Sequence, residues 1–305
     1  MVAIDRIVCP INFSETSQCA FAHAVALARQ CRARVTAVHV APAAREVMPG
    51  ASTQDAVGSG ERLAHAIEEA VSSARREGVS VDPVVAQGDP VSTILHHARP
   101  ASADLLVLGC RDAGSVEHLV AGSIAGKVAS RAQCPVLTVS PGTARFRRTD
   151  IPRLARIICA VDFSEASLRA LDLAFTLLRG RDSELTLLHV IKLPTFSLPR
   201  AEAPEAVDVD PRLAQQAIDR LAEIVPAAAR SVCWPRLEVR AGNVPEEILE
   251  AADQVEAQAI IMGRSNGRER GRLGRLLLGS LVDEVASEAT CPVIEVRGTM
   301  SALGH

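Results

Sequence analysis

Residues 7–15 read IVCPINFSE and residues 157–165 read IICAVDFSE. The two stretches lie 150 positions apart, and the likeness continues in order along the chain. VHV at 38–40 answers LHV at 188–190, and LVLG at 106–109 answers IIMG at 260–263. Last, AGSIAGKVASRAQCPVLTV at 121–139 answers LGSLVDEVASEATCPVIEV at 278–296. Because each pair keeps its place, the repeat is a whole unit of about 145 residues, far longer than a solenoid repeat and of domain size. The expected organisation is a first domain over 1–141, a linker over 142–153, a second domain over 154–297 and a tail over 298–305. The linker, GTARFRRTDIPR, is basic, and its arginines read as solvated.

Within the first repeat, apolar runs alternate with helical patterns. Residues 6–11 form a strand-like run, and Phe13-Ser14-Glu15 then opens a helix in which Ala22, Val25, Ala26 and Leu27 recur at helical spacing. Residues 35–40 are apolar and β-branched, and 41–59, rich in Pro, Gly, Ser and Ala, read as a loop. A second amphipathic helix is expected over 60–77, ended by Gly78. A third strand over 79–86 and a short helix over 91–98 follow. Residues 105–108 are apolar without alternation, the mark of a strand buried on both faces. A glycine-containing loop, a helix through 131 and a strand over 135–139 close the unit. The order βαβαβαβαβ implies a doubly wound α/β fold, a parallel sheet with helices on both faces. The second repeat follows it, with strands near 156–161, 184–190, 236–240, 258–262 and 292–296.

Composition excludes several classes of function. The formal net charge is −3, Tyr is absent and aromatics make up 2% of the 305 residues, so nucleic acid finds neither a basic surface nor a stacking platform. No run reaches 18 apolar residues, so no membrane span is expected. The N-terminus enters a strand directly, with no leader pattern. The eight cysteines show neither CxxC nor zinc spacing. Cys9 with Cys159, and Cys134 with Cys291, are equivalent positions beside strands, and they read as buried, inert thiols of a cytoplasmic protein.

A doubly wound sheet takes ligands at the carboxyl ends of its strands. No glycine follows the first strand of either repeat, so the dinucleotide GxGxxG is missing where it belongs, and no GxxxxGK[ST] occurs. Glycines follow the fourth strand instead: Gly109, Gly114 and Gly122-Ser123, then Gly263, Gly267, Gly271, Gly274 and Gly279-Ser280. In both repeats Gly-Ser opens the next helix, where free N–H groups and the helix dipole favour an anion. Asn12 or Asp162 would sit beside that place and accept hydrogen bonds from a ribose or an adenine amino group. His39 and His189 end the second strands and read as satisfied histidines. His96 and His97 are adjacent on a helix and point apart, so they are not a joint metal site. Ser14 and Ser164 read as helix N-caps rather than nucleophiles, since no G-x-S-x-G elbow surrounds them.

These blocks resemble the universal stress protein family. The residues that carry the resemblance are [DN]FS at the first strand end, HV ending the second strand, and the glycine loop leading to GS and then CPV. It spans nearly the whole chain twice, so the tandem form of the family is implied. The resemblance implies a five-stranded sheet of order 3-2-1-4-5 and, in one subclass, ATP bound through G-x2-G-x9-G-[ST]; the other subclass lacks the loop and binds no ATP. It also implies that the fifth strands meet, so that the chain is an intramolecular pseudo-dimer; a homodimer of the whole chain is left open.

Both halves depart from the motif. In the first repeat Gly109 and Gly122 keep the 13-position spacing, but Asp112 replaces the second glycine and Asn12 the usual Asp. In the second, Asp162 and Gly279-Ser280 are present, but Gly263 and Gly279 stand 16 positions apart and Ala160 replaces the residue matching Pro10. Its loop carries Arg264, Arg268, Arg270, Arg272 and Arg275, which either clamp phosphates or solvate a longer loop. The expected ATP contacts are Asp162, Val190, Met262, Gly263, Gly279 and Ser280 in the better, second repeat. Their weaker counterparts in the first are Asn12, Val40, Gly109, Gly122 and Ser123. Nothing assembles a nucleophile, a base and an oxyanion hole. The leading reading is a stress-response regulatory module that binds ATP without efficient turnover. Two alternatives stay open: a nucleotide-acting enzyme (a weak ATPase or a nucleotidyl transferase), and a scaffold that binds no nucleotide.

Overall fold

The computed structural model describes residues 3–41, 53–99, 101–110, 123–140, 143, 151, 153–178, 183–192, 210–227, 233–264 and 281–298, the side chains of 53–64 excepted. Contacts divide the chain into two compact units, Ala3–Arg153 and one that runs from Leu154 onward.

The first unit contains β1 (Arg6–Pro10), α1 (Glu15–Cys31), β2 (Arg34–Ala41), α2 (Thr53–Arg76), β3 (Val81–Gln87), α3 (Pro90–His97), β4 (Leu105–Gly109), α4 (Ile124–Ala129) and β5 (Val136–Val139). All its strands are parallel, in the order β3-β2-β1-β4-β5. Chain order reverses between β1 and β4, which makes their carboxyl ends the switch point. The β4 residues Leu105, Leu106 and Val107 are fully buried, as the unbroken apolar run requires. Alternate side chains serve opposite faces: Val8, Val38, Leu106, Leu108 and Val136 join Val91 and Ile94 of α3 and Val128 of α4 in one core cluster. Each such side chain stabilises the unit by roughly 1.5–3 kcal/mol, and Leu106→Ala would remove roughly 2–5 kcal/mol. Pro83 lies in β3, which pairs only with β2 in this unit, so its missing N–H breaks no ladder.

The second unit repeats the plan with β6 (Arg156–Ala160), α5 (Glu165–Leu177), β7 (Glu184–Lys192), α6 (Pro211–Ile224), β8 (Arg236–Gly242), α7 (Val244–Gln254), β9 (Ala259–Arg264), α8 (Leu281–Glu288) and β10 (Val293–Arg297). Its parallel order is β8-β7-β6-β9-β10, the same 3-2-1-4-5 arrangement. Among the described residues no helix is long and apolar enough to cross a membrane.

Most boundaries fall within about two residues of the sequence reading, and the start of α2 differs by more. α2 begins at Thr53, inside the stretch read as a loop. Gly58 lies in that stretch and Gly60 at the expected helix start, yet two glycines at about 1 kcal/mol each do not end a helix that continues for several turns beyond them. The helix stops as expected, with Gly78 at φ 80° and its N–H donating to the Arg75 carbonyl at 3.0 Å.

Seven of the eight free thiols are buried, and Cys233 is half-buried. Burial pushes Cys134 up to about 11 and Cys159 and Cys291 to about 12, so the thiolate that reactivity requires is suppressed. His23 on α1 is 4% exposed, and its Nε2 is buried without a hydrogen-bond partner among the described residues. Burial holds its pKa down to about 4, keeping the ring neutral.

Candidate functional site

The two repeats build the same turn at the end of the first strand. Asn12 Oδ1 accepts from the Ser14 N–H at 3.1 Å and the Ser14 hydroxyl at 2.7 Å; Asp162 Oδ1 accepts from the Ser164 N–H at 3.0 Å and its hydroxyl at 2.5 Å. This Asx turn drives the intervening residue left-handed: Phe13 and Phe163 both have φ 63°. A bulky side chain rarely adopts that conformation, which strains the backbone by about 1–3 kcal/mol, and such strain concentrates at functional sites. Each serine also caps its helix, Ser14 Oγ accepting from the Ser17 N–H and Ser164 Oγ from the Ser167 N–H, both at 3.3 Å. The N-cap reading of both serines holds.

The histidines that end the second strands are satisfied, as the sequence suggested. His39 Nδ1 donates to the Ile11 carbonyl at 2.8 Å, and His189 Nδ1 to the Val161 carbonyl at 2.7 Å. Those bonds tie the first and second strand ends together and fix each ring beside its left-handed phenylalanine. The centroid distances are 5.6 Å for Phe13–His39 and 4.8 Å for Phe163–His189. His96 and His97 lie edge to face, at 89°.

Gly109 ends β4 and Gly263 is the last residue but one of β9, each under the first turn of the first helix of its repeat, α1 and α5. A Cβ on Gly109 would fall 2.6 Å from the Thr16 carbonyl oxygen, and one on Gly263 would fall 2.5 Å from the Ser167 nitrogen. Both glycines are demanded by close approach of a helix. Whatever they contribute to a ligand, packing alone explains them.

Asp162 is exposed. Burial of its carboxylate raises the pKa, but hydrogen bonds from Ser164 outweigh that and hold it below the usual carboxylate range. Val40 and Val190 are half-buried near the second strand ends, and Met262 is 2% exposed, part of the core under the site. Ser123 caps α4, accepting from the Gly126 N–H at 3.0 Å. Gly122, Gly279 and Ser280 lie outside the described residues, as do Asp112 and the loop arginines from 268 to 275.

Arg264 is described, and it is not available as a phosphate clamp. Its NH2 meets Asp283 Oδ1 at 2.6 Å, NH1 donates to Asp283 Oδ2 at 3.4 Å, and Nε donates to Glu295 Oε2 at 2.5 Å. The side chains of Arg264, Asp283 and Glu295 are 11%, 28% and 3% exposed. Burial pushes the Glu295 carboxyl up, against the pull of Arg264. The network ties the end of β9 and the middle of β10 to the first turn of α8. The corresponding positions of the first repeat are the neutral Cys110, Gly126 and Thr138. The helix starts differ as well: α8 carries Asp283 and Glu284 in its first turn, whereas that of α4 has no acidic residue.

Sequence reasoning missed a residue that the fold places against Phe163, the residue after Asp162. Arg220 of α6 lays its guanidinium over the Phe163 ring, Cζ to centroid 4.1 Å. No sequence signal marks it, because the rotation of α6 against the strand ends is set by tertiary packing.

The universal stress protein family model matches residues 3–140 and again residues 154–297. A universal stress protein of Methanocaldococcus jannaschii is 29% identical over 137 residues, which is 44% of this chain and 81% of that protein. One of Mycobacterium tuberculosis is 28% identical over 236 residues, 75% of this chain and 72% of its own. The crystal structure of a universal stress protein from Archaeoglobus fulgidus matches with a TM-score of 0.72 at 16% identity, covering 96% of this chain and 98% of that one. At that identity the match speaks for the fold alone.

Proposed function

Because the chain belongs to the universal stress protein family, we propose that it is a stress-response regulatory module that binds an adenine nucleotide at the strand ends of its second repeat without efficient turnover. The observation that carries the reading is the Asp162 turn. It presents a carboxylate, held ionised at neutral pH, at the switch point of the sheet, where an acceptor for ribose hydroxyls or the adenine amino group belongs.

Lack of turnover follows from what the nearby carboxylates already do. Phosphoryl transfer needs Mg²⁺ held by protein oxygens and a positioned water or base. Asp283 and Glu295, at the phosphate end, are both bound to Arg264. Binding without a water-activating group stabilises ground state and transition state alike and does not raise the chemical rate. Hydrolysis is therefore expected on the order of one turnover per minute or slower.

Mass spectrometry of small molecules released from the purified chain, followed by calorimetric titration with ATP, tests the proposal. Asp162→Ala is expected to weaken ATP by about 1–3 kcal/mol. Wild-type protein that neither carries nor binds an adenine nucleotide would leave the scaffold reading standing. Several turnovers per second in a phosphate-release assay would favour the enzyme. One observation favours the first repeat as the binding unit: the first turn of α4 lacks the two carboxylates of α8. Loss of ATP on Asn12→Ala, with Asp162→Ala silent, would move the site there.

A further inference from the structure

We propose that Arg220 is the residue of the second repeat that engages the anionic group of its ligand, a role that rests on the nucleotide reading above. Four observations converge on it. Its guanidinium lies 4.1 Å from the centroid of Phe163, whose ring is 4.8 Å from that of His189. Three flat groups thus lie side by side near the ends of β6 and β7, the two rings inclined at 46°, and His189 is itself fixed by the Val161 carbonyl at 2.7 Å. The middle member, Phe163, follows Asp162 directly and is held left-handed, so the position of the stack is set by the same turn that sets the carboxylate.

The second observation is that Arg220 is spare. Its side chain is exposed, and among the described residues it has neither a hydrogen-bond nor an ion-pair partner. Asp219, its neighbour on α6, accepts instead from Gln215 Nε2 at 2.8 Å, and Glu223, three residues on, makes no ion pair with it. Stacking on a ring orients the guanidinium plane while leaving its five N–H groups directed outward around the edge. That is the geometry in which arginine binds phosphate or carboxylate in bidentate fashion.

Third, Arg264 is consumed. The guanidinium that the sequence places nearest the glycine loop is locked by Asp283 and Glu295. Among the described residues, the cation brought to the turn that carries Asp162 is Arg220 of α6. Fourth, the repeats differ here: among the described residues no guanidinium lies over Phe13, the counterpart in the first repeat. Among the described residues the guanidinium–ring contact belongs to the repeat that keeps the strand-end aspartate.

Arg220 is an anion-binding residue in this reading, so its signature is a difference between ligands that share a nucleoside and differ in charge. The test is calorimetric titration of the full chain with ATP and with adenosine, for wild type, Arg220→Ala, Arg220→Lys and, as a control on the same helix, Arg212→Ala. Arg220→Ala is expected to weaken ATP on the order of tenfold or more and to leave adenosine within about twofold. Arg220→Lys should recover part of the loss, since the ammonium keeps the charge and loses the planar stack. Arg212→Ala should match wild type. Equal losses for ATP and adenosine would make Arg220 a packing residue and overturn the proposal. Unchanged ATP affinity in Arg220→Ala overturns it while sparing the nucleotide reading. Failure of the wild-type chain to bind either compound sinks both.

Discussion

His23 offers a measurement that isolates one buried group. The ring is 4% exposed and its Nε2 has no partner among the described residues, so protonation would place an uncompensated charge in the core of the first unit. Its pKa falls to about 4 from the ordinary 6.5. As the pH drops, the unfolded chain therefore takes up this proton before the folded one does. The stability that the neutral ring contributes is complete above about pH 6.5, declines down to about pH 4, and does not fall further below that. With those two values, the step from pH 7 to pH 5 removes about 2 kcal/mol through this residue alone. The perturbation is His23→Leu, which installs the residue found at the equivalent position, Leu173, itself 4% exposed. Urea unfolding followed by circular dichroism at pH 7 and pH 5 gives the pH-dependent loss for each protein. Other titrating groups, including His97 (also held down by burial) and the buried Glu295, change alike in both and cancel. The variant should lose about 2 kcal/mol less than wild type over that step. His23→Gln, polar but not titrating, should behave in the same way if folded stability drops for reasons of shape. Equal pH losses in all three proteins would refute the argument, and would mean that the folded state opens a path for water to the ring.

Three further expectations follow from packing and charge. Gly263→Ala drives a methyl to 2.5 Å from the Ser167 nitrogen and should destabilise the second unit by roughly 2 kcal/mol or more, read by thermal unfolding. Arg264→Ala strands Glu295 in the core and should lose roughly 3–5 kcal/mol, whereas Arg264→Met combined with Glu295→Gln should recover most of it; a fully additive pair would contradict the network. Titration of the native chain with a thiol reagent should show rapid reaction at Cys233 alone, the other seven appearing only on unfolding.

Much of the fold was legible because its signals are local and doubled. The run at 7–10 and the unbroken apolar stretch at 105–108 became adjacent central strands, the run at 157–160 pairs with 259–262 in the same way, and Gly78 stopped α2 where a left-handed residue was needed. The start of α2 was misread because two glycines weaken a helix without ending it. For the site, sequence supplied the strand-end side chains and the capping serines, which are set by neighbours within a few residues, and the two histidines, which the repeat itself marks at matched positions 28 residues after Ile11 and Val161. Arg220, 57 positions beyond Phe163, left no trace, since it depends on how α6 rotates onto the sheet. The fate of Arg264 was in principle readable. Cys110, Gly126 and Thr138 change together to Arg264, Asp283 and Glu295, and three simultaneous neutral-to-charged exchanges at matched positions announce a network.

That same network bears on how the two halves of the chain could have diverged from a common ancestor. Against the neutral set found in the first repeat, a glutamate placed alone at position 295 would be stranded, and an aspartate alone at 283 would gain nothing from a cysteine. Arginine is the tolerable first arrival, because its long stem lets the charge reach solvent until a carboxylate appears. Once all three were in place the order could no longer be undone one step at a time. Recombination between the two halves is restricted accordingly: an exchange with one crossover between positions 264 and 295 would separate the charges and yield an unstable hybrid, so the segment from β9 through β10 must be inherited intact.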